Sequence, residues 1–399
     1  MMSHQSPFHQ LRYGFGDERF NSDWIFSKAA YVSPSMSMRA AFESPKSPWA
    51  FEPVEENWAR TIVLCTPPDA DPVYTFWMPF PLQEVPNYTA ARAWLNECQT
   101  NHGADCNSLS NPVQGMHLID VLDSRIVDVK DLLSPRWLAL SYVWGNATHC
   151  PPIQISGTDM LPDHLPKTVE DAIEVTKRLD YRYLWVDELC IDQLDPSHRA
   201  SQVRKMDLIY QGADLTIVAS YGDNKNCGLP GVGTTPRMEH PVVHIDSGTV
   251  FSIGPDPRSS LRSSTWWTRA WTFQEGYLSK RLLVFTDHQM TFFCRQAAWM
   301  EALPLPPDRN SAALNADLSH LWTSLWDLRS SPYIPTPLPP LIRFETLIIQ
   351  YIDRDMSDPR DALNAAAGVL HHLGQGDDQV LNFVGLPYYR GPKGAEIPI

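Results

Sequence analysis

Trp271-Thr272-Phe273-Gln274-Glu275 sets an indole and a carboxylic acid four residues apart. On a helix that spacing puts both on one face, with the ring beside the carboxyl group. An acid partly desolvated by an aromatic ring holds its proton more tightly, which suits it to chemistry near neutral pH. The plainer role is a helix N-terminal acid paired with Arg269 or Arg281. The residues by themselves leave both roles open.

Further reactive side chains follow two apolar runs. Asp187, Glu188 and Asp192 come after YLWV at 183–186. Asp187 and Glu188 could face a ligand or organise Glu275, whereas Asp192 reads as a loop cap. The spacing of the three fits no divalent-cation loop. Tyr142, Trp144, Gly145 and Asn146 follow LALS at 138–141. Trp144 could stack on a flat ring of a ligand, and Gly145 permits close backbone approach or positive φ. Tyr142 reads as an aromatic that seals the end of a sheet. No GxSxG elbow surrounds Ser141, so it is not expected to be a nucleophile.

Cys98, His102 and Cys106 fall at four-residue intervals, a spacing that could bring three metal-type ligands to one helix face. A zinc site needs a fourth ligand and Gly103 weakens the helix, so the expectation is core thiols, an ordinary histidine and no metal. The stretch GLPGVG at 228–233 departs from the dinucleotide-binding order, and Pro230 suits a turn. Cys190, between Leu189 and Ile191, reads as a small buried hydrophobe.

The elements that must position these groups are legible as alternating patterns. Short apolar runs at 138–143, 183–186, 215–219, 282–285 and 290–294 read as strands. Thr168 with Asp171 three residues on reads as a helix N-cap, with Val169, Ala172, Ile173, Thr176 and Leu179 as the apolar stripe. Asp195-Pro196 starts a second helix, whose buried face is Val203, Met206, Tyr210 and Ala213. Strands alternating with helices predict a parallel α/β sheet, which collects ligands at the C-terminal ends of its strands. Residues 142–145 and 187–193 lie at such ends.

Around this frame, residues 1–50 read as partly disordered. Residues 51–137 form an extension with strands at 61–65 and 73–80 and a helix near 90–99. The run from Pro304 to Pro340 lies in a proline-rich linker spanning 295–340, and 341–399 reads as a helical segment.

With 399 residues, 43% of them hydrophobic, the chain has ample material for a core, and fourteen tryptophans make that core aromatic. A net charge of −14 with no dense Lys/Arg run argues against a nucleic-acid partner. Seven scattered cysteines without a CxxC pair suit a reducing compartment. No secretory signal or membrane span is visible, so a cytoplasmic location is expected.

Taken in order, LALSYVWG, YLWVDELCIDQ, QVRKMDLIYQGADLTIVAS, GLPG and RAWTFQEGYLSKRLLVF resemble a fungal heterokaryon-incompatibility (HET) domain over about residues 138–294. WLNEC…HLIDV upstream and SDPRDALNAAAGVL downstream resemble the flanks of such proteins. The resemblance implies a role in fungal non-self recognition and programmed cell death, self-association, and a protein trigger that the chain does not identify. It also implies a distant kinship with the TIR (Toll/interleukin receptor) domain, a flavodoxin-like fold. NAD-cleaving TIR domains carry W-C-x-x-E with a catalytic glutamate, and this chain has Thr272 in place of the cysteine. On that comparison Glu275 is catalytic, Trp144, Gly145, Asn146, Asp187, Glu188 and Trp271 line the substrate site, and NAD is a substrate rather than a bound cofactor. The alternative is a HET module that signals by oligomerising or docking without chemistry. Where similar proteins often carry an acid ahead of Gln202-Val203, this chain has Ser197 and His198. The chain ends soon after SDPRDALNAAAGVL, as expected of a short member or of an incomplete C-terminal unit.

Overall fold

The computed structural model describes residues 29–32, 61–65, 81–107, 111–146, 159–245, 248–255, 257–302, 340–374, 379–383, 386–390 and 396–398. Strands β1 (Ala29–Val32) and β2 (Thr61–Cys65) come first, then helices α1 (Tyr88–Asn101) and α2 (Ala104–Asn107) and the hairpin β3 (His117–Asp120) and β4 (Arg125–Asp128). The alternating region runs β5 (Trp137–Ser141), α3 (Lys167–Arg178), β6 (Tyr183–Trp185), α4 (Asp187–Cys190), α5 (Pro196–Val203), α6 (Met206–Gly212) and β7 (Leu215–Ala219). After β8 (Val242–Ile245) and β9 (Gly248–Gly254) come α7 (Pro257–Arg262), α8 (Thr265–Thr268) and α9 (Ala270–Leu278). Strands β10 (Arg281–Phe285), β11 (Met290–Cys294) and β12 (Ala298–Met300) are followed by α10 (Pro340–Ile352) and α11 (Ala362–Leu373). A small antiparallel sheet, β13 (Gln379–Phe383), β14 (Leu386–Arg390) and β15 (Glu396–Pro398), comes last.

The central sheet has eight strands in the order β12-β11-β10-β7-β5-β6-β3-β4. Its middle four strands, β10, β7, β5 and β6, are parallel, and the strands on either side are antiparallel. The expected α/β sheet flanked by helices is present, as a mixed sheet with a parallel centre. The chain winds from β5 to β6 on one side, then crosses to β7 and β10 on the other. That reversal creates a switch point beside the C-terminal end of β5.

Both faces of the parallel strands are covered, and the two-residue period of a strand shows it. Leu283 and Phe285 of β10 enter one apolar core with Leu140, Ile217 and Trp185, while Leu282 and Val284 enter a second with Phe273, Tyr277 and Val369. The stripe expected on α3 is buried at Val169, Ala172, Thr176 and Leu179 and half-buried at Ile173. Asp195 caps α5 as expected, accepting from the N–H groups of Ser197 and His198 at 2.8 and 3.2 Å.

Several expectations need correction. α3 begins at Lys167 without a side-chain cap, and the Thr168 hydroxyl instead accepts from the Gly228 N–H at 3.1 Å. The helix expected through Val203 and Tyr210 is broken at Arg204–Lys205 into α5 and α6. The sheet also extends past both expected limits: β3–β4 come from the N-terminal extension, and β12 opens the stretch read as a linker. β2 pairs with β9, so the extension joins a second, four-stranded sheet of order β1-β2-β9-β8. The helical C-terminal segment ends in β13–β15. The expected strand at 73–80 and most of 1–50 and 304–340 lie outside the described residues.

Helix α11 packs on α9, burying Ala365, Ala366 and Val369, and Arg354 secures the same junction. Its guanidinium lies over Trp267 and Phe273, 4.6 and 5.1 Å from the ring centroids, and donates to the Arg269 carbonyl at 3.1 Å. The helix carrying Glu275 is therefore clamped between the sheet and the C-terminal segment.

The loop at 228–233 is pinned by buried Asp171. One carboxylate oxygen accepts from the Leu229 N–H at 2.8 Å and the Thr235 hydroxyl at 2.6 Å, and Lys167 pairs with the other at 2.5 Å. Gly228 sits at φ +78, where an added Cβ would stand 2.1 Å from the Thr235 hydroxyl and 2.7 Å from Asp171. The loop is an internal brace rather than a phosphate cradle. Gly228→Ala should cost about 1–3 kcal/mol of stability from backbone strain. Its urea unfolding midpoint will test this, and an unshifted midpoint would show that the loop is not pinned.

Candidate functional site

Glu275 lies in the second turn of α9 and is 5% exposed. Its Oε2 accepts from the Ser141 hydroxyl at 2.5 Å, and Ser141 Oγ accepts in turn from Trp266 Nε1 at 2.7 Å. Ser141 is the last residue of β5, so one hydroxyl joins the central strand, α8 and α9. The Tyr210 phenol bonds the Leu140 carbonyl at 3.1 Å and also reaches the Glu275 carboxyl group. Burial pushes the Glu275 pKa up to about 7, against the opposing pull of the Ser141 bond, Arg269 and Tyr210. Neither arginine forms an ion pair with Glu275 among the described residues. Arg281 is engaged elsewhere, with Cys98, Asn107 and the Asp214 carbonyl.

Asp187 opens α4 directly after β6 and keeps part of its surface in solvent. Trp144 Nε1 donates to both its carboxylate oxygens, at 3.2 and 3.1 Å, and the Glu188 N–H adds a bond at 2.7 Å. Burial of the carboxyl group, then the charge of Glu275, push its pKa up to about 8. The field of Glu275 thus adds to burial in raising the proton affinity of Asp187, whereas burial is what raises that of Glu275.

Glu188, the next residue, has a different role. It is fully buried, pairs with buried Lys225 at 2.5 Å, and accepts from the Tyr142 hydroxyl at 3.1 Å. Its charge is neutralised within the protein, so Glu188 holds the residue 225 loop rather than facing a ligand. The same bond explains Tyr142 as a buried strut.

Trp144 and Gly145 are half-buried and Asn146 is exposed, which places these three at the rim near Asp187. Gly145 has φ 87, the left-handed region in which glycine is unstrained. Trp271 is half-buried against the first core, but the indole tied to Glu275 through Ser141 is Trp266. Sequence spacing set Glu275 beside Trp271, whereas the hydrogen bonds link it through Ser141 to Trp266. It also missed Ser141 and Tyr210 as partners. The only signal for Ser141 was a lone hydroxyl at the end of an apolar strand.

Asp192 is a loop cap as expected, accepting from the Leu194 and Asp195 N–H groups. His198 ties that loop to Gly115, with Nδ1 accepting from the Asp192 N–H at 3.1 Å and Nε2 3.0 Å from the Gly115 carbonyl. Cys190 is buried, as expected. Helix α1 stops before Gly103, so Cys98, His102 and Cys106 do not share one helix. They meet Cys294 instead, with all four donor atoms within 4.8 Å of one another. A cavity of about 490 Å³ bordered by Arg92, Arg136 and Tyr181 lies at the N-terminal ends of β5 and β6, away from Glu275.

Two stability effects follow from these charges. Lys225→Met strands the Glu188 carboxylate in the interior and should cost about 3–5 kcal/mol. Glu188→Gln in the same chain should restore part of that loss; equal unfolding midpoints for wild type and Lys225→Met would refute the pairing. Glu275 and Asp187 have folded pKa values raised to about 7 and about 8, so the folded state binds more protons than the unfolded state. Their contribution to stability should fall as pH rises from about 4 to about 8. Thermal melts across that range should show a steeper decline for wild type than for Glu275→Gln/Asp187→Asn, and parallel curves would refute the shift.

Residues 137–275 match the family model described as Heterokaryon incompatibility protein (HET). Heterokaryon incompatibility protein 6, OR allele, of Neurospora crassa is 33% identical over 95 residues, covering 21% of this chain and 14% of that protein. The chain thus aligns with only a small part of its relative's length. No solved structure matches it. Among the described residues, no helix is long and apolar enough to cross a membrane. The ordered motifs, the parallel strands that carry them and the family match identify residues 137–275 as a heterokaryon-incompatibility domain.

Proposed function

We propose that this protein acts in fungal heterokaryon incompatibility and that its HET domain cleaves the glycosidic bond between nicotinamide and ribose in NAD. The observation that carries the reading is the pair Glu275 and Asp187 at the C-terminal end of the parallel strands, beside the half-buried Trp144. Such strand ends at a switch point are where α/β sheets place ligands. The W-x-x-x-E spacing, which resembles that of NAD-cleaving TIR domains, supports the same glutamate.

The chemistry asks little of the protein beyond position and charge. The C1′–N bond breaks, its electron pair leaves with nicotinamide, and the ribose becomes oxocarbenium-like. A carboxylate held in a low-dielectric site stabilises that cation. Water then adds at C1′ and releases one proton, giving ADP-ribose and free nicotinamide. With folded pKa values of about 7 and about 8, the two carboxyl groups gain their negative charge as pH rises through that range. Trp144 and Asn146 at the rim suit stacking and hydrogen bonding to substrate, and the Asp187 carboxyl group is the more accessible of the two.

A second reading has its own support. Glu275 is almost fully enclosed and already bonded to Ser141, as a purely structural acid would be. On this reading the HET domain self-associates or docks on a trigger protein without chemistry.

Nicotinamide release by the full chain, alone and when forced to oligomerise, separates the two. Glu275→Gln should lower turnover by roughly 10²–10⁴-fold, with Asp187→Asn also impaired. Wild-type turnover should rise as pH passes through about 7, where the pair gains its charge. Unchanged turnover in Glu275→Gln would remove Glu275 from the chemistry, and none in wild type under either condition would leave the docking role.

A further inference from the structure

At the opposite end of the strands, Cys98, His102, Cys106 and Cys294 form a four-donor cluster that the NAD reading does not use. We infer that this cluster is a structural zinc site, with three cysteine sulfurs and one imidazole nitrogen as ligands.

The geometry supports four-coordination. Tetrahedral zinc with bonds of about 2.3 Å to sulfur and about 2.0–2.1 Å to nitrogen places its ligand atoms roughly 3.5–3.8 Å apart. His102 Nδ1 lies 3.8 Å from Cys106 Sγ and 3.3 Å from Cys294 Sγ, and all four donor atoms fall within 4.8 Å of one another. The cysteines are unbridged, so each sulfur is available. Cys98 and Cys106 are fully buried, and Cys294 and His102 are half-buried. Three cysteines and a histidine make a closed ligand set with no position left for substrate, which is the mark of a structural rather than a catalytic zinc.

The surroundings fit a metal–thiolate centre. Zinc bound to three thiolates and a neutral imidazole carries a net charge of about −1, which a buried site must offset. Buried Arg281 supplies the opposite charge, donating from Nε to Cys98 Sγ at 3.0 Å. The backbone N–H groups of Gln296 and Ala297 point at Cys294 Sγ from 3.5 and 3.2 Å. Asn107 accepts from Arg281 and donates to the carbonyls of Cys98, Gln99 and His102, holding the loop that presents the ligands. The His102 ring stacks on Trp299, with centroids 5.8 Å apart and planes 17° from parallel. Such outer contacts orient ligands and tune affinity.

Gly103 acquires a reason in this arrangement. The break between α1 and α2 turns Cys106 back toward Cys98, which one continuous helix would not do. The fourth ligand lies 192 residues from His102, at the end of β11. The metal would clip the N-terminal helices to the edge of the sheet, closing a long loop of chain, where a cross-link removes most unfolded-state entropy. On binding, each thiol gives its proton to solvent and its sulfur lone pair to the metal, so folding and metal loading are linked.

The test is the metal content of the full chain, purified without chelators under reducing conditions. About one zinc per chain is expected, released by a mercurial reagent in step with thiol titration. Cobalt added to the stripped protein should give thiolate charge-transfer absorption and the intense visible bands of a tetrahedral site. Cys294→Ser should lose the metal, Cys227→Ser, outside the cluster, should keep it, and Arg281→Gln should weaken binding by about 10–100-fold. Should Cys294→Ser fail to fold, the cobalt spectrum of the wild-type chain decides. Metal-free protein that takes up neither zinc nor cobalt, or a disulfide among these cysteines in freshly reduced protein, would overturn the site.

Discussion

A carboxyl group sealed inside a protein must keep its proton or find donors, and Glu275 does both. The rest of the site is built around its bond to Ser141. Ser141 ends the central strand, so the contact fixes α9 to the middle of the sheet and Trp266 to the same hydroxyl. The clamp from α11 and Arg354 then holds α9 from the other side. The constraint also explains the raised proton affinity of Glu275, because the packing that orients the carboxyl group is what removes its water.

Asp187 and Glu188 show how neighbouring acids acquire different roles from their surroundings. Glu188 points inward to Lys225 and Tyr142 and has its charge neutralised. Asp187 faces Trp144 and the field of Glu275, has no ion pair among the described residues, and stays partly open to solvent. One stabilises the loop that frames the strand ends. The other sets a carboxyl group of raised proton affinity at their mouth. A reading of the acids as one cluster merges two functions that the backbone turn at the start of α4 separates.

The two ends of the parallel strands carry different chemistry. At the C-terminal end, oxygen donors and aromatic N–H groups gather around carboxyl groups. At the N-terminal end, sulfur and imidazole donors gather around Arg281. The N-terminal end brings segments outside the matched family region into the same body. Residues before 137 supply Cys98, His102, Cys106 and the β3–β4 hairpin, and residues after 275 supply β10, β11, β12 and Cys294.

The sequence by itself determined the alternation of strands and helices, because burial on both faces leaves apolar runs and an amphipathic helix leaves a stripe at 3.6-residue spacing. Those local signals located 215–219 and 290–294 and singled out Glu275 and Asp187. The tertiary structure alone decided which groups those acids meet. Ser141 and Glu275 are 134 residues apart, Trp266 and Ser141 are 125 apart, and His102 and Cys294 are 192 apart. No periodicity spans such distances; only strand order and helix packing bring these atoms together. Spacing therefore set Trp271 beside Glu275 and set aside the cysteines for want of a fourth ligand. A helix face is a local property, whereas a hydrogen-bond partner or a metal ligand is chosen by the fold.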